Sequence, residues 1–305
     1  MRIPAANESV WQSIGAAICE NTGQPFAITN VTPVSGGCIN KTVVIDDGLR
    51  SFFVKLNVAA SAGMFEAETD GLRELDKAGA LRVPQPVCHG SDGKHAWLVL
   101  EFLDLSGSSR PGAAQGWEQA GHALALTHRC RQRRYGWHRD NTIGSTPQIN
   151  TCADDWVEFL RLQRIGMQLD LAARNGYRGL LRSRGPQLLD ALPQFFADYT
   201  PDASLLHGDL WSGNIGFISG GQPVVFDPAV YYGDRETDIA MTELFGGFTR
   251  DFYRAYEAVW PLDRGYGVRK HLYNLYHLLN HLNLFGLGYL SQCEAAIDHL
   301  LAQLD

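Results

Sequence analysis

The stretch LLHGDLWSGNIGF, Leu205 to Phe217, with VVFDPAV following from Val224 to Val230, decides how the chain is read. Asn214 stands five residues after Asp209, and Asp227 stands eighteen after it. The first spacing matches a phosphotransfer loop in which an Asp accepts the proton of a substrate hydroxyl and an Asn five positions on holds Mg²⁺. Asp227 then becomes the second metal ligand. Phosphoryl transfer asks little covalent chemistry of a protein but much positioning and charge neutralisation, and the hard oxygens of Asn214 and Asp227 suit Mg²⁺. The apolar runs SLL and PVVF read as short strands delivering Asp209 and Asp227, and His207 reads as a residue that fixes the loop. Alone, HGDLWSGN also describes a polar turn between strands, so the rest of a nucleotide site has to be found elsewhere.

The N-terminal third supplies candidates. SFFVKLN sets Lys55 on a strand opposite Phe52, Val54 and Leu56, the side from which its ammonium would reach ATP phosphates. The helical pattern after it carries Glu68 ahead of Leu72 and Leu75, which makes Glu68 the expected partner of Lys55 and Glu66 the reserve. Between two predicted strands, VSGGCINKT offers Gly36 and Gly37, which either let backbone approach a phosphate or form a plain hairpin turn. LVLEFLD ends the region, and its main chain at Glu101, Phe102 and Leu103 is placed to meet an adenine edge.

The 305 residues are 45% hydrophobic, enough for one large domain or two lobes with cores, and the net charge of −7 gives no general attraction to nucleic acid or to an anionic membrane. No signal-like N-terminus or membrane-length apolar run appears, so a cytoplasmic protein is expected. The six scattered cysteines fit reduced thiols. FAITNVTPV, INKTVVID and SFFVKLN read as antiparallel strands after an amphipathic opening helix, and PQPVCHG and HAWLVLEFLD add two more. Beyond DLSGSSRPGAAQG, long helical patterns dominate. The expectation is an α+β chain of two lobes. Residues 1–103 form a small antiparallel sheet with one inserted helix, residues 104–305 a larger, mainly helical lobe, and a ligand cleft lies between them.

SGGCINKT, FFVKLN, MFEAE, NTIGSTPQIN, LLHGDLWSGNIGF, FDPAVYYGDRETDIAMTELFGGF and LYHLLNHLNLFGLGY together resemble the fructosamine-3-kinase, or ketosamine-3-kinase, family over nearly the whole chain. That resemblance implies a protein-kinase-like fold and ATP-dependent phosphorylation of the 3-hydroxyl of the ketose in ketosamines, on small amines or protein lysines, with deglycation as the outcome. It implies Asp209 as proton acceptor, Asn214 and Asp227 as Mg²⁺ ligands, and Lys55 with Glu68 at the phosphates. Trp211, close behind Asp209, is a candidate to stack on the sugar or a lysine stem, and Asp234 a candidate to receive the acceptor's ammonium. A core aromatic and an ion pair with Arg235 are the structural alternatives. The family also associates a cysteine at position 38 with redox-sensitive dimers, so the chain is expected as a monomer or such a homodimer, with Cys38 the redox candidate.

Two readings compete with this one: a kinase for another amino-bearing alcohol, such as an aminoglycoside or choline, and a nucleotide-binding partner module without catalysis. The second predicts a missing catalytic residue, and none of Lys55, Asp209, Asn214 or Asp227 is missing. His277 and His281 share a helical face but lack the acidic neighbour of a zinc motif, so satisfied core histidines are expected. HRCRQRRYGWHR follows a helix end and reads as a solvated basic patch.

Overall fold

A computed structural model of the chain describes residues 8–34, 39–105 and 113–304. It divides into two compact units, Met1–Pro111 with Gly216–Phe226, and Gly112–Ile215 with Asp227–Asp305. The return of Gly216–Phe226 to the first unit has no counterpart in the sequence expectation of a single boundary near residue 103.

The first unit is built on strands β1 (Asn30–Pro33), β2 (Lys41–Asp46), β3 (Ser51–Val58), β4 (Pro86–Ser91) and β5 (His95–Glu101), all antiparallel, in the order β1-β2-β3-β5-β4. Alternation along β3 drives Val54 and Leu56 into a core with Val43, Ile45, Trp97 and Val99. Helix α1 (Glu8–Thr22) closes that core with Val10, Trp11, Ile14 and Ile18. Helix α2 (Ala62–Ala78) buries Phe65, Leu72 and Leu75, and ends where Gly79 adopts φ 74° and donates its amide to Asp76 O. The segment Gly216–Phe226 joins this unit beside Arg82, whose carbonyl accepts the Val225 amide at 3.0 Å.

The second unit is mainly helical. Its helices are α3 (Ala113–His128), α4 (Trp156–Leu160), α5 (Gly166–Arg174), α6 (Leu180–Ala191), α7 (Glu236–Leu244), α8 (Arg250–Val259), α9 (Tyr266–Phe285) and α10 (Leu290–Ala302). A π-turn over Arg161–Ile165 joins α4 to α5. Five short strands serve the site: β6 (Arg131–Gln132), β9 (Ala203–Leu206) and β12 (Tyr231–Gly233) form a sheet with β9 central, and β7 (Asn141–Ile143) pairs with β8 (Thr146–Gln148) as a hairpin. The remaining strands, β10 (Ile215–Phe217) and β11 (Pro223–Val225), pair with each other and lie between Asn214 and Asp227.

Candidate active site

Strand β9 is buried along its whole length and runs directly into His207, Gly208 and Asp209. The turn is held from two sides. The Ala229 amide donates to His207 O at 2.8 Å, and Gly208, at φ 84°, lies so close that a Cβ there would sit 2.1 Å from Ala229 O. Only glycine satisfies both conditions. From below, Asp238 in the first turn of α7 accepts the His207 amide on Oδ2 at 2.7 Å and the Gly208 amide on Oδ1 at 2.9 Å.

A buried chain orients Asp238. Its Oδ2 meets His128 Nε2 at 3.2 Å, His128 Nδ1 meets the Tyr256 hydroxyl at 2.8 Å, and that hydroxyl accepts from Arg235 at 3.0 Å. A carboxylate only accepts, which places a proton on His128 Nε2, and in the neutral ring Nδ1 then accepts from the Tyr256 hydroxyl. Burial holds the His128 pKa below its ordinary value, in agreement with that tautomer. Burial alone would raise the Asp238 carboxyl, but its bond from His128, the neighbouring histidines and the Gly208 amide together hold it below the usual carboxylate value. Sequence spacing gave Asp238 no role; its only signal was membership of the YGDRETDIAM stretch.

The next residues assemble the acidic centre. The Asn214 side-chain amide donates to Asp209 O at 2.8 Å and to Asp209 Oδ2 at 3.1 Å. That commits its nitrogen and leaves Oδ1 as an acceptor. His207 Nδ1 lies 3.3 Å from the Asp209 amide, so His207 braces the loop as expected. The Asp209 carboxyl is pushed up to about 7, first by burial and then by the charge of Asp227, against the Asn214 bond. Asp227 has φ 58°, the one positive value for a non-glycine residue among those described. Backbone in that region is sparsely populated and is held by its surroundings. Two mutually repelling carboxyls beside a free amide oxygen form a hard-oxygen donor set that fits Mg²⁺.

In the first unit, Lys55 is 4% exposed and forms an ion pair with Glu68. Val54 and Leu56 are in the core and Lys55 is outside it, as the alternation on β3 requires. Glu66 is exposed. At the end of β5 the Glu101 amide donates to Gln85 O at 2.9 Å, and its carboxylate takes Arg82 at 2.5 Å on both oxygens. The Glu101 amide and carboxylate are therefore both already committed within the first unit. Gly36, Gly37 and Cys38 lie outside the described residues.

Trp211 is 37% exposed and meets Phe245 edge-on at 6.1 Å. Its ring lies over Gly213, where a Cβ would approach Cζ2 to 2.3 Å. Asp234 requires a correction. It is 0% exposed, bonded by the hydroxyls of Tyr273 and, at 3.0 Å, Tyr199, and by the Glu236 amide at 3.0 Å. A carboxylate so enclosed does not meet an acceptor's ammonium. Arg235 is not its ion-pair partner either; that guanidinium bonds Tyr256 and the carbonyls of Trp260 and Pro261. His277 also departs from expectation, since both ring nitrogens are buried without a hydrogen-bond partner, and burial pushes its pKa down to about 3. Among the described residues no group of three His, Cys, Asp or Glu side chains is arranged to hold a metal. In the basic patch, Arg131 bonds Asp202 at 2.9 Å and Arg134 pairs with Asp154 at 2.9 Å.

With this geometry in place, the comparisons with known proteins are decisive. A model of the fructosamine kinase family matches residues 10–303. The chain belongs to that family. A protein of Synechocystis sp. named for ketoamine kinase activity is 44% identical over 98% of this chain and 99% of its own. The chloroplastic protein-ribulosamine 3-kinase of Arabidopsis thaliana is 40% identical over 92% of this chain and 86% of its own. A crystal structure named for fructosamine-3-kinase, from Haemophilus somnus, superposes with a TM-score of 0.88 at 30% identity, covering 95% of this chain and 97% of that one. The fold is accordingly kinase-like, and the protein is a phosphotransferase acting on a hydroxyl group. Among the described residues no helix is long and apolar enough to cross a membrane.

Proposed function

We propose that the protein transfers the γ-phosphoryl group of ATP to the 3-hydroxyl of the ketose in ketosamines, namely fructosamine, ribulosamine or erythrulosamine adducts of amines or of protein lysines. The observation that carries this reading is the Asp209–Asn214 bond beside Asp227, in a chain of the fructosamine kinase family. Phosphorylation at that carbon labilises the adduct, so deglycation is the consequence.

Asp209 accepts the proton of the attacking hydroxyl. A carboxyl pushed up to about 7 is basic enough for that transfer near neutral pH. Asn214 holds the carboxyl in position through its nitrogen and presents its oxygen, with Asp227, to Mg²⁺. A bound Mg²⁺ neutralises charge at the β- and γ-phosphates. Lys55, fixed by Glu68, binds the phosphates with a buried ammonium. Gly36 and Gly37 bring backbone amides to the same phosphates, and the main chain at Phe102 and Leu103 receives the adenine. Trp211 supplies an exposed ring face to the sugar or to the methylene stem of a glycated lysine. The aminoglycoside, choline and non-catalytic readings lose ground because the family match spans 10–303 and every catalytic residue is present.

The test is Mg²⁺-dependent ADP release with ribulosamine and fructosamine acceptors, beside choline and kanamycin, with Asp209→Asn as control. Release with ketosamines that disappears in the variant is expected. Release with choline or kanamycin alone would overturn the substrate class, and nucleotide binding without release would overturn the reaction.

A further inference from the structure

The hairpin of β7 and β8 carries the NTIGSTPQIN segment, and its polar side chains are turned inward: Gln148 and Asn150 are 0% exposed and Asn141 is 9% exposed. Gln148 Nε2 donates to Ala229 O at 3.1 Å and to Asn141 Oδ1 at 2.8 Å. Asn141 Nδ2 donates to Val230 O at 2.8 Å. Asn150 Nδ2 donates to the same Asn141 Oδ1 at 2.9 Å. Arg164 sets the direction of the network, and the Tyr276 hydroxyl, which can donate or accept, completes it. Arg164, a donor only, bonds Asn150 Oδ1 at 2.7 Å, and the Tyr276 hydroxyl donates to Gln148 Oε1 at 2.7 Å. Each amide orientation follows; Asn141 and Gln148 donate onward to the carbonyls of Val230 and Ala229, and Asn150 Nδ2 also donates to Arg139 O at 3.1 Å.

Those carbonyls belong to the two residues that follow Asp227 and Pro228. Pro228 has no N–H, so the chain just after Asp227 is fastened through Ala229 and Val230. Ile143, Ala229 and Tyr276 form an apolar cluster at the same place, and Arg164 lies 4.0 Å from the Tyr231 ring centroid and 4.6 Å from that of Phe159. The π-turn that interrupts α4 and α5 contains Arg164, an arrangement found often at functional sites.

We propose that the buried clasp of Asn141, Gln148 and Asn150, locked by Arg164 and Tyr276, is the positioning device that keeps Asp227 in its positive-φ, metal-binding conformation. This rests on the reading of Asp227 as a Mg²⁺ ligand. The clasp acts on the metal through the backbone and touches no substrate. A fully satisfied polar network in low dielectric is rigid, whereas apolar packing alone would leave the 227–230 segment able to relax toward ordinary φ values.

The test compares Gln148→Met, which keeps length without the amide, and Tyr276→Phe, which removes one hydroxyl, with Leu188→Ala, a cavity in α6 away from the clasp, and with Asp227→Asn. The readouts are the Mg²⁺ concentration for half-maximal activity, the ketosamine KM at saturating Mg²⁺, and Mn²⁺ affinity by electron paramagnetic resonance with a non-hydrolysable ATP analogue. Gln148→Met is expected to weaken both metal readouts about tenfold, the scale of losing an outer-shell partner of a metal ligand. The ketosamine KM stays at the wild-type value, Tyr276→Phe shifts in the same direction by less, and Leu188→Ala leaves metal affinity unchanged. Wild-type metal dependence in both clasp variants, or an equal shift in Leu188→Ala, would overturn the inference. Should Gln148→Met fail to fold, Tyr276→Phe decides alone. Wild-type metal affinity in Asp227→Asn would sink the metal assignment itself, and the clasp's role with it.

Discussion

Replacing Asp238 with Asn isolates the clamp beneath the catalytic loop. The native carboxylate accepts the His207 amide at 2.7 Å and the Gly208 amide at 2.9 Å, with His128 at 3.2 Å. Asn keeps one acceptor oxygen and turns an NH₂ group toward the other amide. One charge-assisted bond is lost and one buried N–H is left unsatisfied, a combined penalty of roughly 3 kcal/mol. For a chain of this length, with an unfolding entropy of about 2.1 cal/mol/K per residue, that corresponds to a fall in Tm of roughly 5 °C. The same substitution lets the loop drift, and a displacement of about 1 Å at a catalytic carboxylate lowers kcat about a hundredfold. The KM for ATP is expected to change far less than kcat. Because the Asp238 carboxyl is held below its ordinary value of 3.8, its contribution is fully present above that pH and is lost only as the pH falls through the lower folded value. The stability difference between wild type and Asp238→Asn should therefore be flat from pH 5 to 8. Thermal unfolding over that range, with steady-state kinetics at pH 7.5, measures both effects. A wild-type Tm together with an undiminished kcat would refute the clamp.

Two further outcomes follow from the site. His277 has a folded pKa of about 3 against an ordinary 6.5, so its unfolded form takes up the proton first as the pH falls; full stability holds above 6.5 and declines below it. Between pH 6.5 and 5 the decline is about 2 kcal/mol. His277→Phe should abolish that part of the acid sensitivity, and urea unfolding at both pH values that gave identical losses for the two proteins would contradict it. Gly213→Ala places a Cβ 2.3 Å from the Trp211 ring and must displace it. Loss of a stacking contact of about 1 kcal/mol should raise the ketosamine KM about fivefold and leave the KM for ATP unchanged; initial rates with each substrate varied in turn would show otherwise if Trp211 stood outside the acceptor site.

Much of the architecture was legible because it is written locally. Alternation along β3 separates Lys55 from Val54 and Leu56 within a few residues, and helical spacing on α2 is enough to prefer Glu68 to Glu66. The Asp209–Asn214 pair is legible for the same reason, since its bond closes within one loop. What escaped depends on distant partners. Asp234 beside Arg235 looks like a surface pair, but Tyr199 and Tyr273 converge on it from 35 and 39 residues away. Asp238 looks like an ordinary acid in a first helical turn until the amides 30 and 31 residues earlier reach it. The polar residues of NTIGSTPQIN carry no role that the sequence alone assigns, because their acceptors, Ala229 and Val230, lie more than 80 positions downstream.

These distant contacts share one physical logic. Asp209 and Asp227 repel each other, and Asp227 sits at a backbone angle that an Asp seldom adopts. Neither condition stabilises the loops that carry them, so the loops must be held by bonds that do not depend on the functional carboxylates. Asp238 grips the backbone just before Asp209, the amide clasp grips the backbone just after Asp227, and the Ala229 amide on His207 O, with Ala229 O packed on Gly208, ties the two grips together. Both grips use buried side chains whose partners are backbone groups, and neither grip uses the Asp209 or Asp227 carboxyl. Stability is thus placed around the reacting groups rather than in them.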